Sequence, residues 1–275
     1  MKRREFLAGS AASLIASVID GKSSVFAKEN GTQRNESPQA PSAAGRRQIA
    51  MLVYPGFAAL DLVGPHQFVA GLMEADVHLV WKNKDAIATG PGNLSILPTA
   101  TFEECPPDLD LLFVPGGLEG TIAVMRDEKV LSFLSERGAR AKYVTSVCTG
   151  SLVLGAAGLL RGYRATSHWA FKDLLPLVDA IPAPGRVVED RNRITGAGVT
   201  SGIDFGLTVS ARMSGAEAAE MLQLLNEYDP DPPFDAGTPA KAGPQTTSQL
   251  RNLLAAGIAN TRAAAMAAGK RLRSS

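Results

Sequence analysis

Histidine and cysteine are scarce in this chain: three and two among 275 residues. No His, Cys or acidic pair shows the spacing of metal ligands, so neither a structural nor a catalytic metal is expected. Excess charge of either sign is missing too, with 28 Lys+Arg against 27 Asp+Glu. Nothing is basic enough to track a nucleic-acid backbone, which excludes that class of partner. No apolar stretch reaches the roughly 18 uncharged residues of a membrane span. What the chain does have is a generous supply of apolar residues in short runs, as expected for a core of mixed strands and helices.

The first 27 residues stand apart. Lys2-Arg3-Arg4 precedes Phe6-Leu7, a mildly apolar Ser- and Ala-rich run follows, and Val25-Phe26-Ala27 offers small residues to a signal peptidase. This resembles a twin-arginine export signal cleaved after Ala27, which implies a periplasmic protein with no membrane contact once the signal is gone. The alternative is a disordered basic N-terminus. Residues 28–46 are polar, contain Pro, Ser, Gly and Asn without periodicity, and read as a flexible linker.

From 47 the pattern changes. RQIAMLVYP (47–55), VHLVWKN (77–83), LDLLFVPGG (109–117) and KYVTSVC (142–148) read as strands. Between and after them lie helical stretches at 65–75 and 127–139, one from 149, a hairpin at 186–198 turning at Asp190-Arg191-Asn192, and helices near 201–212 and 215–227. Alternating elements with mostly apolar strands imply one α/β domain, 47–228, with a mostly parallel sheet covered by helices on both faces. Ligands in such sheets bind outside the carboxyl ends of the strands, so residues 55–61, 115–117 and 148 are where chemistry belongs. Residues 229–275 form a Pro-rich arm and an Ala-rich C-terminal helix, packed on its own domain or on a partner subunit.

Cys148 ends a strand and opens a helix. A tight turn there exposes the side chain at the top of the sheet, and the helix N-terminus favours thiolate. Thr149 adds a hydroxyl and an amide beside the sulfur. The competing reading is a buried structural cysteine. Asp61, set among Phe57, Leu60, Leu62 and Val63, would have its pKa raised by desolvation, which suits an acid that delivers a proton. On pattern alone a helix cap before Pro65 is the commoner role. The Gly116 and Gly117 amides could bind developing negative charge, or could simply make a turn. His168 is the one histidine that could serve the thiol, as a base or as a pocket wall. Cys105 precedes a strand start while Cys148 sits at a strand end, roughly 20 Å away for a six-residue strand. That is beyond the ~7 Å reach of a disulfide, so both thiols are expected free. TGAGVTSG (195–202) follows a hairpin and makes a poor dinucleotide fingerprint.

Taken together, LVYPGFAALDLVGP, LLFVPGG, SVCTGSLVLGAAGLLRGYRATSHW, TGAGVTSGIDFGL and EYDPDPPFDAG resemble the ThiJ/PfpI superfamily, and within it the isonitrile hydratase branch. The resemblance covers residue 47 to the C-terminus. It implies a flavodoxin-like (class I glutamine amidotransferase-like) fold, a homodimer and no cofactor. It also places the nucleophile on Cys148, the essential carboxylate on Asp61 and the accompanying threonine on Thr149. Proteolytic members carry His after the cysteine; Thr149 stands there instead. The implied reaction is hydration of a small-molecule isonitrile to an N-substituted formamide. The alternatives are small-amide hydrolysis, hydration of a reactive aldehyde, or a redox or ligand sensor without turnover.

Overall fold

The computed structural model describes residues 45–91 and 94–274. The expected signal (1–27) and all but the last two residues of the linker (28–46) lie outside them. Seven strands make the main sheet: β1 (Arg47–Leu52), β2 (Ala75–Trp81), β3 (Ala100–Thr101), β4 (Leu111–Val114), β5 (Tyr143–Val147), β6 (Val187–Asp190) and β7 (Arg193–Gly196). Their spatial order is β6-β7-β5-β4-β1-β2-β3. All neighbours pair in parallel except the β6/β7 hairpin. The fold is thus the flavodoxin-like α/β type that the sequence implied. Strands such as LLFV and YVTSV are buried along nearly their whole length, because helices surround the sheet and leave no wet face to demand alternation.

Topology then fixes the site. From β1 the chain moves outward through β2 to β3, then returns to β4 on the other side of β1. The strand order reverses between β1 and β4, and their carboxyl ends diverge around a crevice. A single bridge between Phe57 and Gly117 ties the two exit loops together.

Among the described residues the α-helices are α1 (Ala59–Val69), α2 (Glu119–Val124), α3 (Glu128–Arg140), α4 (Gly150–Ala156), α5 (Ser201–Ser214), α6 (Ala216–Leu225), α7 (Pro239–Leu253) and α8 (Ala255–Ser274). α3 follows its sequence pattern closely. Val130, Phe133 and Leu134 face the core, and the Asp127 side chain caps the start by accepting from the Val130 N–H at 3.2 Å.

Helix α1 differs from expectation. It begins at Ala59, six residues before Pro65, so that proline lies inside the helix rather than at its start. Proline forfeits one backbone hydrogen bond there, which the burial of Leu62, Phe68 and Val69 outweighs. The C-terminal region also differs. Its helical structure begins at Pro239, kinks at Gly243 (φ 79°) and breaks at Leu254 into α7 and α8. Ala264, Ala265 and Ala268 of α8 are buried against this chain's own domain, while α7 buries nothing. Shorter pieces carried no readable pattern in the sequence, among them β3, α2 and a 3₁₀ helix at Lys172–Val178.

Candidate active site

Three strand exits meet at the crevice: Tyr54 and Asp61 from the β1 side, Pro115–Gly117 after β4 and Cys148–Thr149 after β5, with Ser167 joined to them through the Cys148 carbonyl. Cys148 occupies the turn between β5 and α4 with φ 57°, the left-handed region that a non-glycine residue rarely enters. Such strain costs about 1–3 kcal/mol and persists only when the surroundings hold it. Here they do so from both sides. The Cys148 N–H donates to the Gly196 and Ala197 carbonyls at 3.1 and 2.8 Å, and its own carbonyl accepts from the Ser151 and Ser167 hydroxyls at 3.2 and 2.9 Å. The residue sits at a tight strand-to-helix elbow, as its position in the sequence suggested.

Asp61 is fully buried, in the first turn of α1. It is not a cap. Ala58 holds that position and no side chain caps the helix. The carboxylate instead reaches across the crevice, where its Oδ2 accepts from the Gly116 N–H at 2.9 Å. Its Oδ1 is buried without a hydrogen-bond partner. Burial pushes the Asp61 pKa up to about 7, against the lowering pull of the Gly116 amide and the Cys148 thiol. The thiol lies close enough for the two groups to shift each other's proton affinity, although no hydrogen bond of ordinary geometry joins them.

The thiol departs from the sequence argument. α4 does begin at Gly150, directly after Cys148–Thr149. Yet burial, and next the negative charge of Asp61, raise the Cys148 pKa well above the ordinary thiol value. The Thr149 amide and hydroxyl pull the other way and lose. Desolvation of a nearly enclosed sulfur outweighs the helix terminus. Cys148 therefore rests as a thiol, and Asp61 is the group that titrates near neutrality.

Gly116 and Gly117 also take another role than the expected one. Both amides are already committed: Gly116 to Asp61, and Gly117 to the Thr149 hydroxyl at 3.0 Å. In this state they position the acid and the threonine rather than wait for a substrate. The need for glycine is steric. A Cβ on Gly116 would lie 2.6–2.8 Å from the Thr149 N, the Cys148 Cβ and the Asp61 Oδ2, so one hydrogen is all that separates three site groups. Gly150 permits an equally close approach, since a Cβ there would sit 2.2 Å from the Val114 carbonyl oxygen.

Thr149 is buried, and its hydroxyl donates to the Gly117 carbonyl at 2.6 Å. It also lies 2.8 Å from the Thr121 hydroxyl. Thr121 lies 3.3 Å from the Tyr54 hydroxyl, which donates to the Pro115 carbonyl at 2.8 Å. The fully buried Tyr54 has its pKa raised by burial and stays neutral. Tyr54, Thr121 and Ser167 were not found from sequence. Tyr54 alone left a signal, standing at the strand exit just before Pro55-Gly56. Thr121 belongs to a helix with no readable pattern.

His168 is not hydrogen-bonded to the thiol. Its Nδ1 accepts from the Ala170 N–H at 3.3 Å, and burial lowers its pKa, so the ring is a neutral pocket wall. That wall belongs to a cleft of about 540 Å³ lined also by Ser167, Trp169 and Lys172, by Ala197 and by Gly237–Thr238 of the Pro-rich arm. Cys105 and Cys148 are both free, as expected, and both are buried, which for Cys148 differs from the exposed side chain expected at that turn. Among the described residues no three His, Cys, Asp or Glu side chains gather as metal ligands would, and no helix is long and apolar enough to cross a membrane.

A strained cysteine at the β5–α4 elbow, faced by a buried carboxyl across a doubly wound sheet, defines a thiol-centred α/β protein. Comparison with known proteins makes this specific: residues 47–212 match the DJ-1/PfpI family, and the chain belongs to it. An isonitrile hydratase of Pseudomonas putida is 50% identical over 204 residues, covering 74% of this chain and 88% of that protein. A transcriptional regulator of Pseudomonas aeruginosa with a helix-turn-helix is 28% identical over 185 residues, covering 66% of this chain and 47% of that one. Among solved structures, a ThiJ/PfpI family protein from Pseudomonas syringae is 50% identical and superposes with a TM-score of 0.79, covering 85% of this chain and 97% of that chain.

Proposed function

We infer that the protein is a cysteine-dependent isonitrile hydratase that needs no cofactor. The observation that carries this is the Cys148–Asp61 pair. It is a thiol and a carboxyl, both with raised proton affinity and mutually in reach, in a chain half-identical to an isonitrile hydratase. The active form holds one proton across the pair. Asp61 carboxylate takes the thiol proton as the sulfur attacks the terminal carbon of the isonitrile. The proton then passes to that carbon, giving an enzyme-bound thioimidate, S–CH=N–R. Water oriented by Asp61 and Thr149 adds to the same carbon while the nitrogen gains a proton. The C–S bond then breaks, the hydroxyl proton returns to sulfur, and the N-substituted formamide leaves with the thiol restored. One water is consumed and nothing is oxidised.

Formamide release from alkyl and aryl isonitriles, followed for wild type and Cys148→Ala, tests the reading. Turnover by wild type with none by the variant is expected. Turnover retained in Cys148→Ala, or none in folded wild type with a reduced Cys148, overturns it.

Two further parts of the reading concern the whole chain. The Arg3-Arg4 segment supports export to the periplasm; N-terminal sequencing of the secreted protein should begin at Lys28. A homodimer is supported by the apolar surface this chain leaves open, with Phe234 on the arm 81% exposed. Sedimentation at micromolar concentration should give twice the monomer mass.

A further inference from the structure

The cleft beside the nucleophile is charged in one direction only. Two of its lining residues touch the Cys148 backbone: Ser167 donates to the Cys148 carbonyl and Ala197 accepts from the Cys148 amide. At about 540 Å³ it has the capacity of a small-molecule site, a range of roughly 300–1,000 Å³. No acidic side chain lines it, whereas Lys172 and Arg186 both do. Arg186 is already paired with Asp204, which Tyr228 also holds. Lys172 is different. It is half-buried at the start of the 3₁₀ helix, and no acid among the described residues pairs with it. Trp169 gives the cleft an aromatic wall. A partly desolvated cation facing an acid-free cavity is an unfilled half of an ion pair.

We propose that Lys172 is a specificity residue that receives an anionic group on the substrate, so that the preferred isonitriles are carboxylate-bearing, with a flat or aromatic body against Trp169. This rests on the hydratase reading of the same site and names its substrate class. A lysine ammonium suits a carboxylate as a point charge, and the neutral His168 lines the same cleft without adding a charge of its own.

The test compares 4-isocyanobenzoate with 4-isocyanobenzamide, which match in size and differ in charge. Wild type, Lys172→Met and Lys172→Arg are assayed side by side. The ratio of kcat/KM for the carboxylate over the amide should fall about tenfold in Lys172→Met, the worth of one charged hydrogen bond, and recover in Lys172→Arg. A wild-type preference for the amide, or a ratio unmoved by Lys172→Met, overturns the proposal. Calorimetry with the corresponding formamides separates this from failure of the hydratase reading. If folded wild type hydrates neither isonitrile, that reading falls. The cleft's anion preference is then upheld by Lys172-dependent binding of 4-formamidobenzoate over 4-formamidobenzamide, and refuted by equal binding.

Discussion

A carboxyl group buried as completely as Asp61, yet left with an unpartnered Oδ1, makes the fold sensitive to pH in a definite direction. Its pKa rises on folding from the ordinary carboxyl range to about 7. Between those values the folded state keeps a proton that the unfolded state has released, so stability falls as pH rises through this window. Below pH 4 both states are protonated and the cost vanishes; above pH 7 it is complete, at roughly 4 kcal/mol for a shift of this size. Asp61→Asn removes the titration while keeping an acceptor for the Gly116 amide. Thermal melts should show the variant more stable than wild type at pH 8 and level with it near pH 4. Its kcat should drop by about 10²–10⁴-fold, the worth of a positioned proton-transfer group. In wild type, kcat/KM should climb through about pH 7 as the pair gives up its first proton, and fall again only in the alkaline range where Cys148 titrates. A flat profile across pH 6–8 would contradict the assigned role. Gly116→Ala tests the same crevice sterically. Its methyl would press on Thr149, Cys148 and Asp61 together, so kcat/KM should fall by roughly 10²-fold. The cost in stability should be only about 1–3 kcal/mol, read from denaturant melts.

At the scale of elements, the sequence was legible wherever one local rule dominated. α3 shows this: Val130, Phe133 and Leu134 share one face in the sequence pattern and are buried in the fold. The cap can be isolated, since Asp127 accepts from the Val130 N–H and also pairs with Lys82. Asp127→Ala should lower unfolding free energy by about 1 kcal/mol in denaturant melts, with kcat/KM unchanged, because nothing in the crevice touches it. Legibility failed where tertiary burial overrode a local signal. Pro65 looked like a helix start, but packing of Leu62 and Phe68 carries α1 through it, and the Asp61 cap reading fell with that boundary. Much of the candidate site was readable as well, since the strand exits drew attention to Asp61, Gly116, Gly117 and Cys148. Their partnerships were not. The expected lowering of the thiol pKa depended on exposure that a sequence cannot report, and the glycine amides proved to be spoken for by Asp61 and Thr149. Tyr54 and Thr121 join the crevice through contacts 61 and 67 residues apart in the chain, for which no spacing rule exists.

Across the whole molecule, the C-terminal helix α8 braces the helix that follows Cys148, though it lies more than a hundred residues away in the chain. Ala264, Ala265 and Ala268 are buried against the domain, where small side chains let the helix sit close to the 3₁₀ helix and to α4. The Arg271 guanidinium donates to the Ala156 carbonyl at 3.0 Å, satisfying an acceptor at the last turn of α4 that the helix itself cannot. Arg161 returns the favour by donating to the Leu272 carbonyl at 2.8 Å. These contacts grip the C-terminal end of α4, whereas Cys148 and Thr149 lie at its opposite end. The brace is therefore expected to govern stability rather than chemistry. Ala265→Leu forces three extra carbons into a face with no room for them, at a cost of about 1–3 kcal/mol. For a chain of this size that lowers the melting temperature by roughly 2–4 °C per kcal/mol. Turnover at 25 °C, where the variant stays folded, should match wild type. A loss of kcat out of proportion to the change in melting temperature would instead show that α8 sets the geometry of the Cys148 elbow through α4.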